Sequence, residues 1–131
     1  MKGKTILALL IFIPVFLKAQ TTGSFQQSIT FTEPDYNYSR TLYYYVPSDY
    51  DPEQSYKLVV GFRGGPHNNA GQFRDQLTFL SDSIGAIILC PENEDHFWNE
   101  EGLTKLLFKY SLDTTMAMYN MLDIESIMAS P

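Results

Sequence analysis

A glycine pair, Gly64-Gly65, lies between Arg63 and His67 and directly follows an apolar run at residues 58–62. Because glycine lacks a Cβ, backbone N–H groups at this point could approach a reacting oxygen closely. A helix that begins just after the loop would add the partial positive charge of its N-terminus. These are the requirements of an oxyanion hole in acyl transfer. The same residues also fit a simpler interpretation, in which two glycines only form a tight turn.

The residues on both sides of the glycine pair predict a strand, a helix and a second strand. Residues 58–62 and 86–90 are short apolar runs, typical of strands covered on both faces, and Pro91 is expected to stop the second run. Between them, apolar residues recur at helical spacing: Phe73, Leu77, Leu80 and Ile84. This order predicts two parallel strands, and ligands of such sheets bind at the carboxyl ends of the strands.

Local signals also mark the two ends of this predicted helix. Asn69, with Gln72 three residues later, resembles a capping pair at the helix start, and Gly85 suits the position just past the helix end. Phosphate-binding loops are excluded, because the sequence has neither a Walker pattern nor G-x-G-x-x-G. The loop is therefore better suited to an oxygen of a reacting carbonyl than to a nucleotide.

The flanking segments complete the predicted α/β architecture. Residues 24–31 and 39–46 predict an antiparallel hairpin with a turn at residues 33–37. After an acidic irregular segment, a long amphipathic helix is predicted, and residues 124–128 are expected to begin a strand. The apolar face of that helix is predicted to comprise Leu103, Leu106, Leu107, Tyr110, Thr114, Ala117, Met118 and Met121. The fold class is thus an antiparallel hairpin followed by a β-α-β-α parallel-sheet segment.

The N-terminal segment predicts a signal peptide at residues 1–19. A basic start with Lys2 and Lys4 precedes an apolar run at residues 6–17, and Ala19 provides a small residue for cleavage. The run is shorter than the ~20 residues that a membrane-spanning helix needs. An uncleaved anchor remains an alternative, whereas a lipoprotein signal fails because no cysteine lies nearby. We expect a secreted or periplasmic protein without stable membrane insertion after cleavage.

Composition excludes several functional classes. The 131 residues carry a formal net charge of −6, which argues against nucleic-acid binding. The single cysteine, Cys90, excludes an internal disulfide, and its apolar strand predicts a buried, inert thiol. His96 lies among acidic residues without metal-ligand spacing, so a solvated loop is expected there and no metal or other cofactor is predicted.

Two further residues are weighed for the substrate pocket. His67 could line the pocket beside the glycine pair, although an exposed loop histidine is the simpler interpretation. Trp98 could line a substrate cleft or cover the core. Serines such as Ser111 lie in ordinary helix contexts with no residue nearby to activate them.

Four segments together resemble the N-terminal part of secreted α/β-hydrolase esterases of the polyhydroxybutyrate-depolymerase and feruloyl-esterase-like group. They are residues 43–47, residues 57–65, the pair Gln72-Phe73, and residues 84–91. The helix at residues 111–120 resembles the one that precedes the nucleophile strand in that family. The resemblance covers residues 38–125. It implies ester hydrolysis by a Ser-His-Asp triad, with part of the oxyanion hole from Arg63, Gly64 and Gly65, on a small-molecule, polyester or plant cell-wall ester.

The sequence departs from that family in two ways. Arg63 stands where the family usually carries histidine, so the loop keeps a donor but gains charge. The nucleophile elbow G-x-S-x-G does not occur in the sequence, and it would be expected just after Ile127. In this fold the acid and the base follow the nucleophile. Residues 20–131 are therefore expected to be an incomplete α/β-hydrolase-like domain, inactive alone, with no catalytic residue of its own and an open sheet edge.

Two other functions remain as alternatives. A secreted carbohydrate-binding module is suggested by the tyrosines at positions 43–45 and by Trp98, which could stack on sugar rings. Such a module would normally be all-β, so negligible helix content would favour it. A membrane-anchored structural protein is suggested by residues 5–17 alone.

Overall fold

The computed structural model describes residues 20–33, 36–63, 69–92 and 101–129. The predicted signal peptide, residues 1–19, lies outside the described residues. The elements in chain order are β1 (Gly23–Glu33), β2 (Tyr36–Val46), β3 (Tyr56–Arg63), α1 (Ala70–Ile84), β4 (Ile87–Pro91), α2 (Glu101–Met118) and β5 (Met121–Ala129).

The strands form one mixed sheet in the order β1-β2-β4-β3-β5. β1 pairs antiparallel with β2, and β2 pairs antiparallel with β4. β3 pairs in parallel with both β4 and β5, with Leu58 opposite Ile87 and Val60 opposite both Leu89 and Ser126. The predicted hairpin followed by a parallel segment is confirmed, including the parallel pairing on either side of α1.

The hairpin is longer than predicted. Pairing runs from Gly23 opposite Val46 to Glu33 opposite Tyr36, beyond the expected ends at residues 31 and 39. The extra pairs join polar side chains, such as Thr32 with Asn37, so apolar alternation could not reveal them. Backbone hydrogen bonds do not depend on side-chain polarity, and they continue the ladder.

The core has two layers, one on each face of the sheet, because successive strand residues point to opposite faces. One layer packs strand residues of β3 and β4 against α1, and its members include Val59, Ile88, Cys90, Phe73 and Leu77. The other layer packs the opposite face of the sheet against α2, and its members include Leu58, Val60, Leu89, Tyr44 and Leu107. β3 and β4 are therefore covered on both faces, as their apolar runs predicted.

The predicted face of the second helix was wrong in part. The helix ends at Met118, so Met121 lies in β5, and Ala117 is exposed. The fully buried positions are instead Ser111 and Thr115, next to Leu107. These two polar residues can be buried because each donates its hydroxyl hydrogen to a carbonyl four residues earlier in the helix.

Two further expectations concern strand ends. The second parallel strand runs from Ile87 to Pro91, so it ends at Pro91 itself rather than one residue before it, and Pro91 pairs with Leu42 of β2. A proline is tolerated at a strand end, where its missing N–H costs little. The strand expected at residues 124–128 is confirmed as part of β5, which begins three residues earlier. Within the described residues, no helix combines the length and apolar character needed to cross a membrane.

Candidate functional site

The carboxyl ends of the three parallel strands meet at one edge of the sheet. β3 ends at Arg63, β4 ends at Pro91, and β5 ends at Ala129, which lies opposite Arg63. α1 connects β3 to its parallel neighbour β4, so its N-terminus at Ala70 lies at the same edge. This is the edge where the sequence predicted a ligand site.

Two glycines bring α1 unusually close to the sheet. A Cβ on Gly61 in β3 would lie 2.8 Å from Cys90 Sγ, 2.8 Å from Leu77 Cδ1 and 2.9 Å from Phe73 Cε1, which is closer than real Cβ atoms approach their neighbours. A Cβ on Gly71 would lie 3.0 Å from the ring of Tyr43 on β2, so the ring or the helix would have to shift. Because glycine has no side chain at these two positions, the N-terminal half of α1 can lie this close to the sheet.

The cap predicted for this helix is confirmed. Asn69 Oδ1 accepts the backbone N–H of Gln72 at 2.9 Å, which satisfies one of the unpaired donors of the first turn. The other end is also as predicted, since Gly85 has a left-handed conformation with φ of 66° and donates to Ser81 O. The first turn contains no acidic residue, so no side chain of that turn offsets its partial positive charge.

Arg63, the first residue of the predicted oxyanion loop, lies at the end of β3 with its side chain half-buried. Its Nη1 donates to Gln76 Oε1 of α1 across a long 3.4 Å. Gln76 lies almost two turns into the helix, so this contact joins the end of β3 to the side of α1.

The remaining predicted site residues lie outside the described part of the structure. They are the glycine pair Gly64 and Gly65, the loop histidine His67, and Trp98. His96, which was expected in a solvated acidic loop, also lies outside it. The described residues hold no group of three His, Cys, Asp or Glu side chains that could bind a metal ion. The oxyanion role of the loop and the pocket roles of His67 and Trp98 stay predictions.

Cys90 is buried at the contact between β4 and α1, as expected. Its side chain is fully inaccessible, and burial raises the pKa of its thiol to about 12. The thiol is therefore protonated at neutral pH and is a poor nucleophile. Its role is to pack against Gly61 and α1.

Sequence reasoning missed a buried chain of hydroxyls that holds the second helix. Thr115 Oγ1 donates to Ser111 O at 2.7 Å and lies 2.7 Å from the hydroxyl of Tyr44. Because a carbonyl can only accept, the Thr115 hydrogen is committed to Ser111, and Tyr44 is the donor to Thr115. Burial raises the pKa of Tyr44 to about 12, which keeps this donor protonated. The signal available in the sequence was the spacing of Leu107, Ser111 and Thr115, which recur every four residues and so lie on one face of the helix.

The described residues hold the two ends of the segment between Arg63 and Asn69. A strand end lies on one side of the loop, and a capped helix N-terminus without first-turn acids lies on the other. Such a frame can present backbone N–H groups to a developing negative charge. Among the described residues, we identify none as the serine, the histidine or the acid of a catalytic triad.

The arrangement of strands and helices is also found in solved structures of esterases. No protein-family model matches the sequence, and no curated protein matches it. LpqC, a poly(3-hydroxybutyrate) depolymerase from Bordetella parapertussis, aligns with a TM-score of 0.56 and 21% identity over 75% of this chain and 39% of its own. A thermostable esterase aligns with a TM-score of 0.53 and 18% identity over 80% of this chain and 34% of its own.

A ferulic acid esterase gives a similar result, with a TM-score of 0.53 and 18% identity over 81% of this chain and 50% of its own. At these identities the likeness shows the fold. The chain spans half or less of the length of each of these three structures. With its hairpin, its β-α-β-α order and these neighbours, the chain has a partial α/β-hydrolase fold.

Proposed function

We propose that this chain supplies the oxyanion-binding half of a carboxylic-ester hydrolase site and does not hydrolyse esters by itself. One observation carries the proposal: α1 connects the parallel strands β3 and β4 and starts, capped and without acids, at the carboxyl end of β3. The segment between Arg63 and Asn69 joins the end of β3 to the start of α1, so we assign oxyanion binding to this segment. The esterase-like fold supports the same assignment.

In this mechanism the chain stabilises charge and does not attack. Backbone N–H groups of Gly64 and Gly65 donate hydrogen bonds to the oxygen of the ester carbonyl, whose negative charge develops as the carbonyl carbon becomes tetrahedral. The N-terminus of α1 adds its partial positive charge. The sequence contains no G-x-S-x-G elbow, so the proposal assigns the attacking serine and its base to no residue of this chain.

The substrate class and location follow from the same proposal. The structural neighbours are described as a poly(3-hydroxybutyrate) depolymerase and a ferulic acid esterase, so a polyester, a plant cell-wall ester or a small ester is the proposed substrate. The basic and apolar segment at residues 1–19 supports export to the periplasm or the medium. The carbohydrate-binding alternative has no comparable support, because the structure contains helices of 15 and 18 residues.

The test follows backbone amides while an oxyanion mimic is added. A ¹⁵N-labelled sample is titrated with a methylphosphonate monoester, whose anionic oxygens imitate the tetrahedral intermediate. We expect saturable shifts at the amides of Gly64, Gly65 and Ala70, and none at Gly85, which lies at the opposite end of α1. Shifts spread evenly over the chain, or concentrated at Gly85, would contradict the proposal.

An activity assay tests the second half of the proposal. The protein is compared with a Gly64→Val/Gly65→Val variant for release of p-nitrophenol from p-nitrophenyl butyrate. We expect equal, background rates, since the sequence contains no G-x-S-x-G elbow to place an attacking serine. Turnover by the unmodified chain above that of the variant would show that the chain carries a nucleophile of its own.

A further inference from the structure

The start of α1 contains two backbone donors that precede the first hydrogen bonds of the helix. Phe73 N–H donates to Asn69 O at 3.0 Å, and Gln72 N–H donates to Asn69 Oδ1 at 2.9 Å. The N–H groups of Ala70 and Gly71 come before these bonds, and the first N–H groups of a helix have no acceptor within it. Under the proposed function, on which this inference rests, they are the donors that α1 offers to an oxyanion.

The ring of Tyr43 packs against one of these donor residues. A Cβ on Gly71 would lie 3.0 Å from Tyr43 Cε1 and 3.1 Å from Tyr43 Cδ1. Tyr43 belongs to β2, where it pairs with Gln26 of β1 on one side and Cys90 of β4 on the other. Because a tyrosine ring has only two side-chain torsions, it yields less than a long flexible side chain. The ring therefore limits how closely the first turn of α1 approaches the sheet.

Arg74 joins the same part of α1 to the edge of the sheet. It follows Gly71 by three residues, so the two lie on the same side of the helix. Its guanidinium carbon lies 5.6 Å from the centre of the Tyr43 ring, within the range of a cation–π contact. Its Nη1 donates to Phe25 O of β1 at 3.3 Å, and its Nη2 lies 2.9 Å from Asp75 Oδ1. The charged side chain is only 13% exposed, and these contacts compensate for its burial.

We propose that Tyr43 and Arg74 are positioning residues for the oxyanion site. Tyr43 sets the distance of Gly71 from the sheet, and Arg74 keeps the first turn of α1 against that ring. Neither side chain is assigned a contact with the substrate. A change at this contact displaces the N–H groups of Ala70 and Gly71 relative to the end of β3, and stabilisation of an oxyanion depends on where its donors lie. The β1–β2 hairpin thereby acquires a role in the site.

The neighbouring tyrosine of β2 provides a matched control. Tyr45 lies two residues after Tyr43, on the same face of the sheet, and it is also partly buried against the core layer that contains α1. It lies at the other end of α1, where it lines a cavity together with Asp49 and Asp82. Tyr43→Leu and Tyr45→Leu therefore remove the same atoms from the same layer, but only the first acts at the start of α1.

Titration with the methylphosphonate monoester, followed at the Ala70 amide, compares the two variants. We expect Tyr43→Leu to weaken binding about fivefold, because the donors move. Tyr45→Leu is expected to bind within about twofold of the unmodified protein, because it lies far from the donors. Tyr43→Phe keeps the ring and is expected to retain full affinity. Urea denaturation is expected to show similar stability losses in both leucine variants. Equal affinities of these two variants would overturn the positioning role.

A measurement without ligand reports the ring contact itself. One α-hydrogen of Gly71 points towards the Tyr43 ring, so the ring current is expected to displace its chemical shift. We expect this displacement to persist in Tyr45→Leu and Tyr43→Phe, to vanish in Tyr43→Leu and to decrease in Arg74→Gln. A Gly71 shift that is the same in Tyr43→Leu and in the unmodified protein would overturn the inference.

Arg74→Gln tests the second positioning residue and decides the question if Tyr43→Leu does not fold. It removes the charge that lies beside the ring and is expected to weaken binding of the mimic about threefold. If the unmodified protein does not bind the mimic, the proposed function is wrong, and this inference fails with it. If the unmodified protein and Arg74→Gln bind the mimic equally well, only the positioning role of Arg74 is wrong.

Discussion

The two helices cover opposite faces of the same sheet and are held there by different kinds of contact. α1 packs closely against the sheet at two glycines, Gly61 of β3 and Gly71 of α1 itself, which have no side chain to keep the helix and the sheet apart. α2 is held by hydroxyls that reach across the interface, from Tyr44 to Thr115. At the two glycines α1 packs directly on its neighbours, so any added atom would displace it, whereas at Thr115 a directional hydrogen bond sets the contact of α2. The two helices are therefore expected to respond to different substitutions.

The largest expected effect tests the glycine contact directly. Gly61→Val would place atoms within 3 Å of Cys90, Leu77 and Phe73, so α1 must move away from β3. We expect a loss of about 3 kcal/mol in the free energy of unfolding, measured by urea denaturation. Gly85→Ala is the matched control, because its Cβ would meet no atom within 4 Å and only the positive φ is strained, at about 1 kcal/mol. Equal losses for the two variants would contradict the close packing of α1.

The next prediction tests the hydroxyl chain on the other face. Thr115→Val would leave the buried Tyr44 hydroxyl without its acceptor, and we expect a loss of about 2 kcal/mol. Tyr44→Phe would remove the donor itself and cost about 1 kcal/mol. In the double variant no unpaired hydroxyl remains, so its loss is expected to be smaller than the sum of the two. Additive losses in this double-mutant cycle would show that the two hydroxyls do not interact.

A smaller effect is expected at the N-terminus of α1. Asn69→Ala would remove the side-chain acceptor of the Gln72 N–H, at a cost of about 1 kcal/mol. Asn69→Asp keeps an acceptor and adds a charge that the helix dipole favours, so it is expected to match or exceed the stability of the unmodified protein. A loss as large in the aspartate variant as in the alanine variant would contradict the capping role.

The smallest expected effect on stability at neutral pH comes from three buried ionisable side chains, which lie on both faces of the sheet. Burial raises the pKa of Cys90 from 9.0 to about 12, and the pKa of Tyr44 and of Tyr119 from 10.0 to about 12. These acids are neutral when protonated, so the folded state holds protons that the unfolded state releases. Their stabilisation is complete below about pH 9 and decreases as the pH rises towards 12.

Unfolding free energies measured from pH 7 to pH 11 check this prediction. We expect a plateau near neutrality and a decline that begins close to pH 9, where the unfolded thiol starts to ionise. Cys90→Ala removes the earliest of the three groups and is expected to delay the decline towards pH 10. A decline with the same onset in this variant would show that another group is responsible.

Much of the frame could be predicted from sequence because its signals are local. Each signal depends on neighbours within a few residues: the apolar runs, the spacing of Phe73 and Leu77, the cap at Asn69, and Gly85 just past the end of α1. The parallel pairing of β3 and β4 followed from the same order of elements. The polar end of the hairpin was not predicted, because backbone pairing does not require apolar side chains. The buried residues Ser111 and Thr115 of α2 were not predicted either, because hydroxyls that bond within the helix do not contribute to an apolar pattern.

The candidate sites were predictable to different degrees. The proposed ester site was predicted at the carboxyl edge of the sheet because chain order and the glycine pair indicate that edge. The cavity lined by Asp49 and Asp82 was not predicted, since these residues lie more than thirty positions apart in the chain. No local pattern connects such residues before the chain folds.

The sequence by itself determined most of the segments that are strands and helices, and that its middle forms a β-α-β unit with a glycine pair just after the first of the two parallel strands. Tertiary structure decided what those segments touch: that Gly61 has no room for a Cβ, that Thr115 meets Tyr44, and that Ser81 Oγ has no partner among the described residues. The physical reason is range. Backbone preference and periodicity act over a few residues, whereas close packing and buried hydrogen bonding depend on atoms that only the folded chain brings together.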